Sequence, residues 1–149
     1  MKLTIVKRKL MRLIKLLIVV VLALGLCACA SSNKRDRTET EIMDQYSALV
    51  RWSQFDAMPD YMHPEWLMEN PVRDLDIERL RQFRVTGYRV RQVISVDEGN
   101  GVDRVIQLRL YHIHTARERE IQYLESWRWD EEMERWMLHS GLPDVTQAR

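Results

Sequence analysis

Ile121-Gln-Tyr-Leu-Glu-Ser-Trp-Arg-Trp129 places Ile121, Tyr123, Trp127 and Trp129 on one side of an extended chain, with Glu125 in the middle of the series. A period of two residues is the mark of a strand that buries one face. Upstream, Ile106-Gln-Leu-Arg-Leu110 repeats the alternation, and before it Thr86, Tyr88, Val90, Ile94 and Val96 fall on a common face. Asp97-Glu-Gly-Asn-Gly101 supplies a glycine-bearing turn between those two runs. Downstream, Asp130-Glu-Glu-Met-Glu134 leads into a short run carrying Trp136 and Leu138. Strands joined by short connections pair antiparallel, so this half of the chain predicts a four-stranded antiparallel sheet.

Towards the N-terminus the period changes. Thr38-Glu-Thr-Glu41 has the spacing of a capping box, and Ile42, Tyr46, Leu49, Val50 and Ser53 follow at helical intervals, predicting a helix from Thr38 to Trp52. Phe55 to Pro64 predicts a shorter helix with Pro59 in its first positions and Pro64 ending it. Glu65 to Val72 is loop or a single turn, and Asp74 to Leu80 a further helical piece capped by Asp74. Helices followed by strands give an α+β class, with the N-terminal helices covering the apolar face of one curved sheet. A cystatin-like helix laid on a sheet is the alternative.

A chain of 149 residues leaves room for one domain, and its five Gly and four Pro exclude collagen-like or low-complexity sequence. The formal net charge of +1 hides a division: six of the 23 basic side chains and none of the 22 acidic ones precede residue 29. The remainder holds 17 bases, all Arg except Lys34, against 22 acids, a net charge of −5 that argues against nucleic-acid binding.

The basic head and the apolar run Leu16 to Ala28 have the n-region and h-region of a secretory signal. The run is short for a spanning helix, which needs about 20 apolar residues. Met11 is a second plausible start, giving a leader of more ordinary proportions. Leu26-Cys27-Ala28-Cys29 resembles the lipobox of bacterial lipoproteins, a branched apolar residue and a small residue ahead of the cysteine that is acylated. Cys29 fits better than Cys27, because Ala28 precedes it where Cys27 has the bulky Leu26. The resemblance implies cleavage before Cys29, a diacylglyceryl group on its thiol and a lasting membrane anchor, since acyl chains contribute about 0.8 kcal/mol per buried CH₂. With Ala30 rather than Asp after the cysteine, the sorting rule of enteric lipoproteins favours the outer membrane, with the inner membrane or the cell surface as alternatives. Residues 1–28 are thus expected to be a cleaved signal, 29–37 a polar lipidated tether, and 38–145 a single periplasmic domain with no cysteine for a disulfide.

The order of elements also resembles the cone-shaped fold shared by nuclear transport factor two and ketosteroid isomerase relatives. Trp52-Ser-Gln-Phe-Asp-Ala57 looks like the end of that superfamily's first helix, and Tyr123 to Trp129 with Trp136 to Pro143 like its late strand pair. The resemblance implies a bent sheet around a pocket. The isomerase's catalytic pattern is not matched residue by residue, so no catalytic role follows from it.

Three groups of side chains are candidates for chemistry. His112 and His114, two apart on an expected strand, would face the same way and could share a metal, against a plain reading as exposed strand-end histidines. Glu125 interrupts an apolar face; a buried carboxylate there could act as a general acid or base, unless an Arg such as Arg109 or Arg135 neutralises it or a bulge turns it to solvent. Tyr123, Trp127, Trp129 and Trp136 form either core or an aromatic surface for an apolar ligand or a partner. No cofactor is expected. The reading that unites these features is a lipid-anchored envelope protein with a non-catalytic binding or accessory role, for an envelope protein or a small apolar ligand. The alternatives are a pocket enzyme using Glu125 or a histidine, and a purely structural envelope protein.

Overall fold

The computed structural model describes residues 35–36 and 38–146; the expected signal, Cys29 and most of the tether lie outside them. Among the described residues no helix is long and apolar enough to cross a membrane. The chain divides into two units after Thr38, and, apart from the helical residues up to Thr38, the elements that follow belong to the second, from Glu39 onward.

Helix α1 runs over 38–51, and its buried residues Met43, Tyr46, Ser47 and Val50 recur every three or four positions, the spacing of one helical face. Thr38 is itself helical rather than the residue ahead of the helix. Arg35 and Asp36, assigned from sequence to the tether, are already helical, and the Thr38 hydroxyl donates to the Arg35 carbonyl at 2.8 Å. At its other end α1 closes in a Schellman arrangement: Gln54 N–H donates to Leu49 O at 2.8 Å and Ser53 N–H to Val50 O at 3.0 Å, with Ser53 left-handed at φ 56°.

Phe55–Tyr61 is a 3₁₀ helix with Pro59 inside it rather than at its start. Pro64 does not end a helix but begins one, α2 (Pro64–Glu69), because a proline's fixed φ and missing N–H suit the first helical turn. His63 caps α2, its Nδ1 accepting from Glu65 N–H at 3.2 Å. In α3 (Asp74–Arg81) the cap is Arg73 and Asp74 is the first helical residue.

The sheet is four-stranded, in the order β1 (Phe83–Val96), β2 (Gly101–His112), β3 (Glu118–Asp130) and β4 (Arg135–Leu138), with every neighbouring pair antiparallel. The chain is therefore α+β, its N-terminal helices packed on this sheet. Even-numbered residues of β2 and odd-numbered residues of β3 face the helices: Val102, Ile106, Leu108 and Leu110 stand beside Ile121 and Trp127, with Trp136 and Leu138 from β4. Tyr46 of α1 meets the Trp127 ring edge-on at 5.2 Å and Tyr61 at 5.6 Å, tying helix to sheet.

The first strand departs from the expected face. Register shifts at Thr86 and Arg91 each insert one extra residue, so the partners of the core-facing β2 residues are Val85, Tyr88, Val90, Val93 and Ser95. Tyr88 and Val90 stay on the expected side, while Thr86 falls in a bulge and Ile94 and Val96 turn to the opposite face.

Candidate functional site

Glu125 lies at the centre of the sheet's covered face with no exposed surface. The strand ladder sets Arg104 of β2 directly opposite it, and Val93 of β1 opposite Arg104. Arg104 Nη1 approaches Glu125 Oε2 to 3.7 Å, and its Nη2 donates to the Tyr88 hydroxyl at 3.1 Å. The Tyr88 and Tyr123 hydroxyls both donate to Oε1, at 2.9 and 2.8 Å, and Trp127 Nε1–H donates to Oε2 at 3.2 Å. The carboxylate thus has three hydrogen-bond donors and a cation, all from the sheet itself, which is how a buried charge is held at tolerable cost.

The neutralising cation is Arg104, not Arg109 or Arg135. Arg109 occupies an odd position of β2 and points away from the helices, beside Gly87, where an added Cβ would sit 3.1 Å from its Nε. Arg135 reaches the Asp60 carbonyl at 3.5 Å. Alternation alone carried the signal for Arg104, which is in phase with Ile106, Leu108 and Leu110.

The phenols around Glu125 are fixed as donors. Burial, and then the Glu125 charge, push the Tyr123 hydroxyl well above its ordinary range, and the same two causes raise Tyr88. Burial first and Glu125 second also raise Tyr46, whose hydroxyl is fully buried and has no hydrogen-bond partner among the described residues. A carboxylate surrounded by groups that keep their protons is equipped to organise a core. To act on a substrate it would have to surrender one of those donors.

Two of the grooves bordered by the described residues lie elsewhere. One, of about 680 Å³, is bordered by Asp56, Pro59, Leu67, Val72 and Ile77, and the other, of about 520 Å³, by Trp66, Leu80, Leu142 and Pro143. Neither includes Glu125. Trp127 and Trp136 are fully buried, and Tyr123 and Trp129 half-buried, so this aromatic group fills the space between sheet and helices.

His112 ends β2 and His114 lies in the turn beyond it, so the two do not share a strand face. His112 Nδ1 accepts from His114 N–H at 3.2 Å, and its Nε2 is 3.3 Å from Gln82 Oε1. Among the described residues no three His, Cys, Asp or Glu side chains converge on a point where a metal could sit.

A second histidine pair, not anticipated from the sequence, forms where α2 meets the end of the sheet. His63 stacks on His139 with ring centres 4.6 Å apart, and His63 Nε2 is 2.9 Å from Asp130 Oδ2. Because His63 Nδ1 is the acceptor that caps α2, the proton resides on Nε2 and is donated to Asp130. His63 thus joins the start of α2 to the end of β3. The Met133 N–H, then His63, hold the Asp130 carboxyl below its usual range. Burial, helped by His63 and Arg128, holds His139 below the usual imidazole range.

A scan against protein-family models, and searches of curated proteins and of solved structures, found no match to this chain.

Proposed function

We propose that this chain is a lipid-anchored envelope protein whose α+β domain binds a partner protein and catalyses no reaction. The observation that carries the non-catalytic part is Glu125: the one carboxylate set into the covered face of β3 is wholly buried and saturated by Tyr88, Tyr123, Trp127 and Arg104. An apolar interior closed by Trp127 and Trp136 supports a partner protein over a small apolar ligand held within the sheet. The anchor rests on Leu26-Cys27-Ala28-Cys29 behind a basic, apolar leader, and on Ala30 for an outer-membrane address with the domain in the periplasm.

Two measurements test the reading. With labelled palmitate, Cys29→Ser is expected to abolish incorporation with Cys27 intact; labelling that persists in this variant overturns the assignment of the acylated cysteine. Crosslinking in intact cells is expected to trap the domain on an envelope protein, and turnover of a substrate that Glu125→Gln abolishes without unfolding the protein would overturn the non-catalytic role.

A further inference from the structure

The stretch Arg89-Val-Arg-Gln-Val-Ile-Ser95 is the part of the fold that the domain's own packing does not explain. All seven residues are exposed, although a strand lying on a core alternates between buried and open positions. Val93 is 60% exposed, Ile94 42% and Val90 37%, and the register places Val90 and Val93 on one face and Ile94 on the other. Three β-branched aliphatic side chains are therefore held exposed in extended backbone.

β1 is also an edge of the sheet, with no strand on its outer side among the described residues. At the other side β4 pairs with β3, and the chain beyond β4 continues along it: His139 N–H donates to Ser126 O at 2.7 Å, Ser126 N–H to Ser140 Oγ at 3.2 Å, and Arg119 Nη1 to Val145 O at 2.9 Å. On β1 the end of α1 provides partial cover, Ser53 Oγ accepting from Val85 N–H at 3.1 Å and Arg51 lying 5.2 Å above the Tyr88 ring. Alternate residues of an edge strand turn their N–H and C=O groups outward, where another extended chain can pair with them.

Charge selects the kind of chain. β1 carries Arg84, Arg89 and Arg91 and no carboxylate, in a protein whose sequence from Cys29 onward is net acidic. Across the ladder from Arg89 stands Gln107, and Arg91, in its bulge, has no cross-strand partner. In a second copy paired antiparallel about Val90, Arg89 and Arg91 would stand opposite each other, and like charges across a ladder are destabilising. An acidic segment brings the opposite charge together with the backbone groups.

We propose that the edge of β1 at residues 89–95 docks an extended acidic segment of a partner protein, which adds a strand to the sheet. This rests on the partner-binding reading above, but not on the lipid anchor. The test uses the full chain purified in detergent, a labelled heptapeptide alternating glutamate and valine, and a lysine–valine counterpart. Binding is read by fluorescence anisotropy, and backbone pairing by amide hydrogen exchange. The acidic peptide is expected to bind and to slow exchange within residues 89–95, and Arg89→Glu with Arg91→Glu to weaken it about tenfold or more. Equal binding of the lysine peptide, binding without protection in that stretch, or a concentration-dependent dimer protected there would overturn the proposal. So would no binding of the acidic peptide, including the case where the same arginines instead hold the protein on phosphatidylglycerol vesicles. If cellular crosslinks to an envelope protein map to another surface, this edge is excluded while the partner-binding reading stands.

Discussion

Arg104 and Glu125 face each other across the β2–β3 ladder, 3.7 Å apart at their nearest atoms, in the middle of an otherwise apolar surface. Neither charge is accessible enough for water to replace its partner: Glu125 is fully buried and Arg104 nearly so. With Tyr88 bridging them, since it receives a hydrogen bond from Arg104 and donates one to Glu125, they form a network whose members depend on each other.

Removing the cation alone leaves a buried, uncompensated carboxylate. Arg104→Met is expected to cost about 3–5 kcal/mol of stability in urea denaturation. Combined with Glu125→Gln, most of that loss should return. If the single and double variants prove equally unstable, the pair is not coupled as the geometry requires.

Tyr46 presents the opposite case, a buried hydroxyl without a partner among the described residues. Leaving a polar group unpaired costs about 1–3 kcal/mol, so Tyr46→Phe, which keeps the ring against Trp127 and Tyr61, should match or exceed the parent in stability. Destabilisation by more than about 1 kcal/mol would show that the hydroxyl has a partner.

Ser53 performs two tasks with opposite demands. Its left-handed backbone favours glycine, while its hydroxyl receives the Val85 N–H and fastens α1 to the edge of β1. Ser53→Ala keeps the strained backbone and loses the acceptor, so it should be the less stable of two variants; Ser53→Gly relieves the backbone and should recover about 1 kcal/mol of the loss. Thermal unfolding of the two proteins, compared side by side, decides the order.

The stacked histidines give stability a pH dependence of known sign. His139 is held below its ordinary range, near 6.5, by burial and then by His63 and Arg128, with Asp130 and Glu65 acting the other way. As pH falls through about 6.5 the unfolded chain takes up the proton first, so stability is highest above that value and declines towards the lower folded pKa. His139→Phe is expected to flatten the urea midpoint between about pH 7.5 and pH 5.5; an unchanged slope would remove His139 as its source. Asp130, whose carboxyl is lowered, acts in a separate, more acid window: its stabilising effect is present above the ordinary carboxyl range and lost as pH falls below it.

Much of the sheet was legible because a strand covered on one face writes its burial into every second residue. Ile106, Leu108 and Leu110, and the series from Ile121 to Trp129, announced β2 and β3, and Glu125 stood out because it broke the second series. β1 was legible as a strand but not in its facing. A bulge adds one residue without disturbing composition, so nothing in the run from Thr86 to Val96 marks Thr86 and Arg91 as the extra positions. Proline was ambiguous for a similar reason, since Pro64 can close one helix or open the next, and only the cap from His63 settles which.

By itself the sequence determined the α+β class, the four strands and the helical segments ahead of them, since those depend on periodicities that each segment carries locally. Tertiary structure alone decided which cation faces Glu125, that Trp127 and Trp136 are core, that His63 and His139 stack, and that one edge of the sheet has no further strand among the described residues while the other is covered. Those relationships join residues distant along the chain. They depend on register, bulges and the path of the connections, none of which is recorded in the order of any one segment.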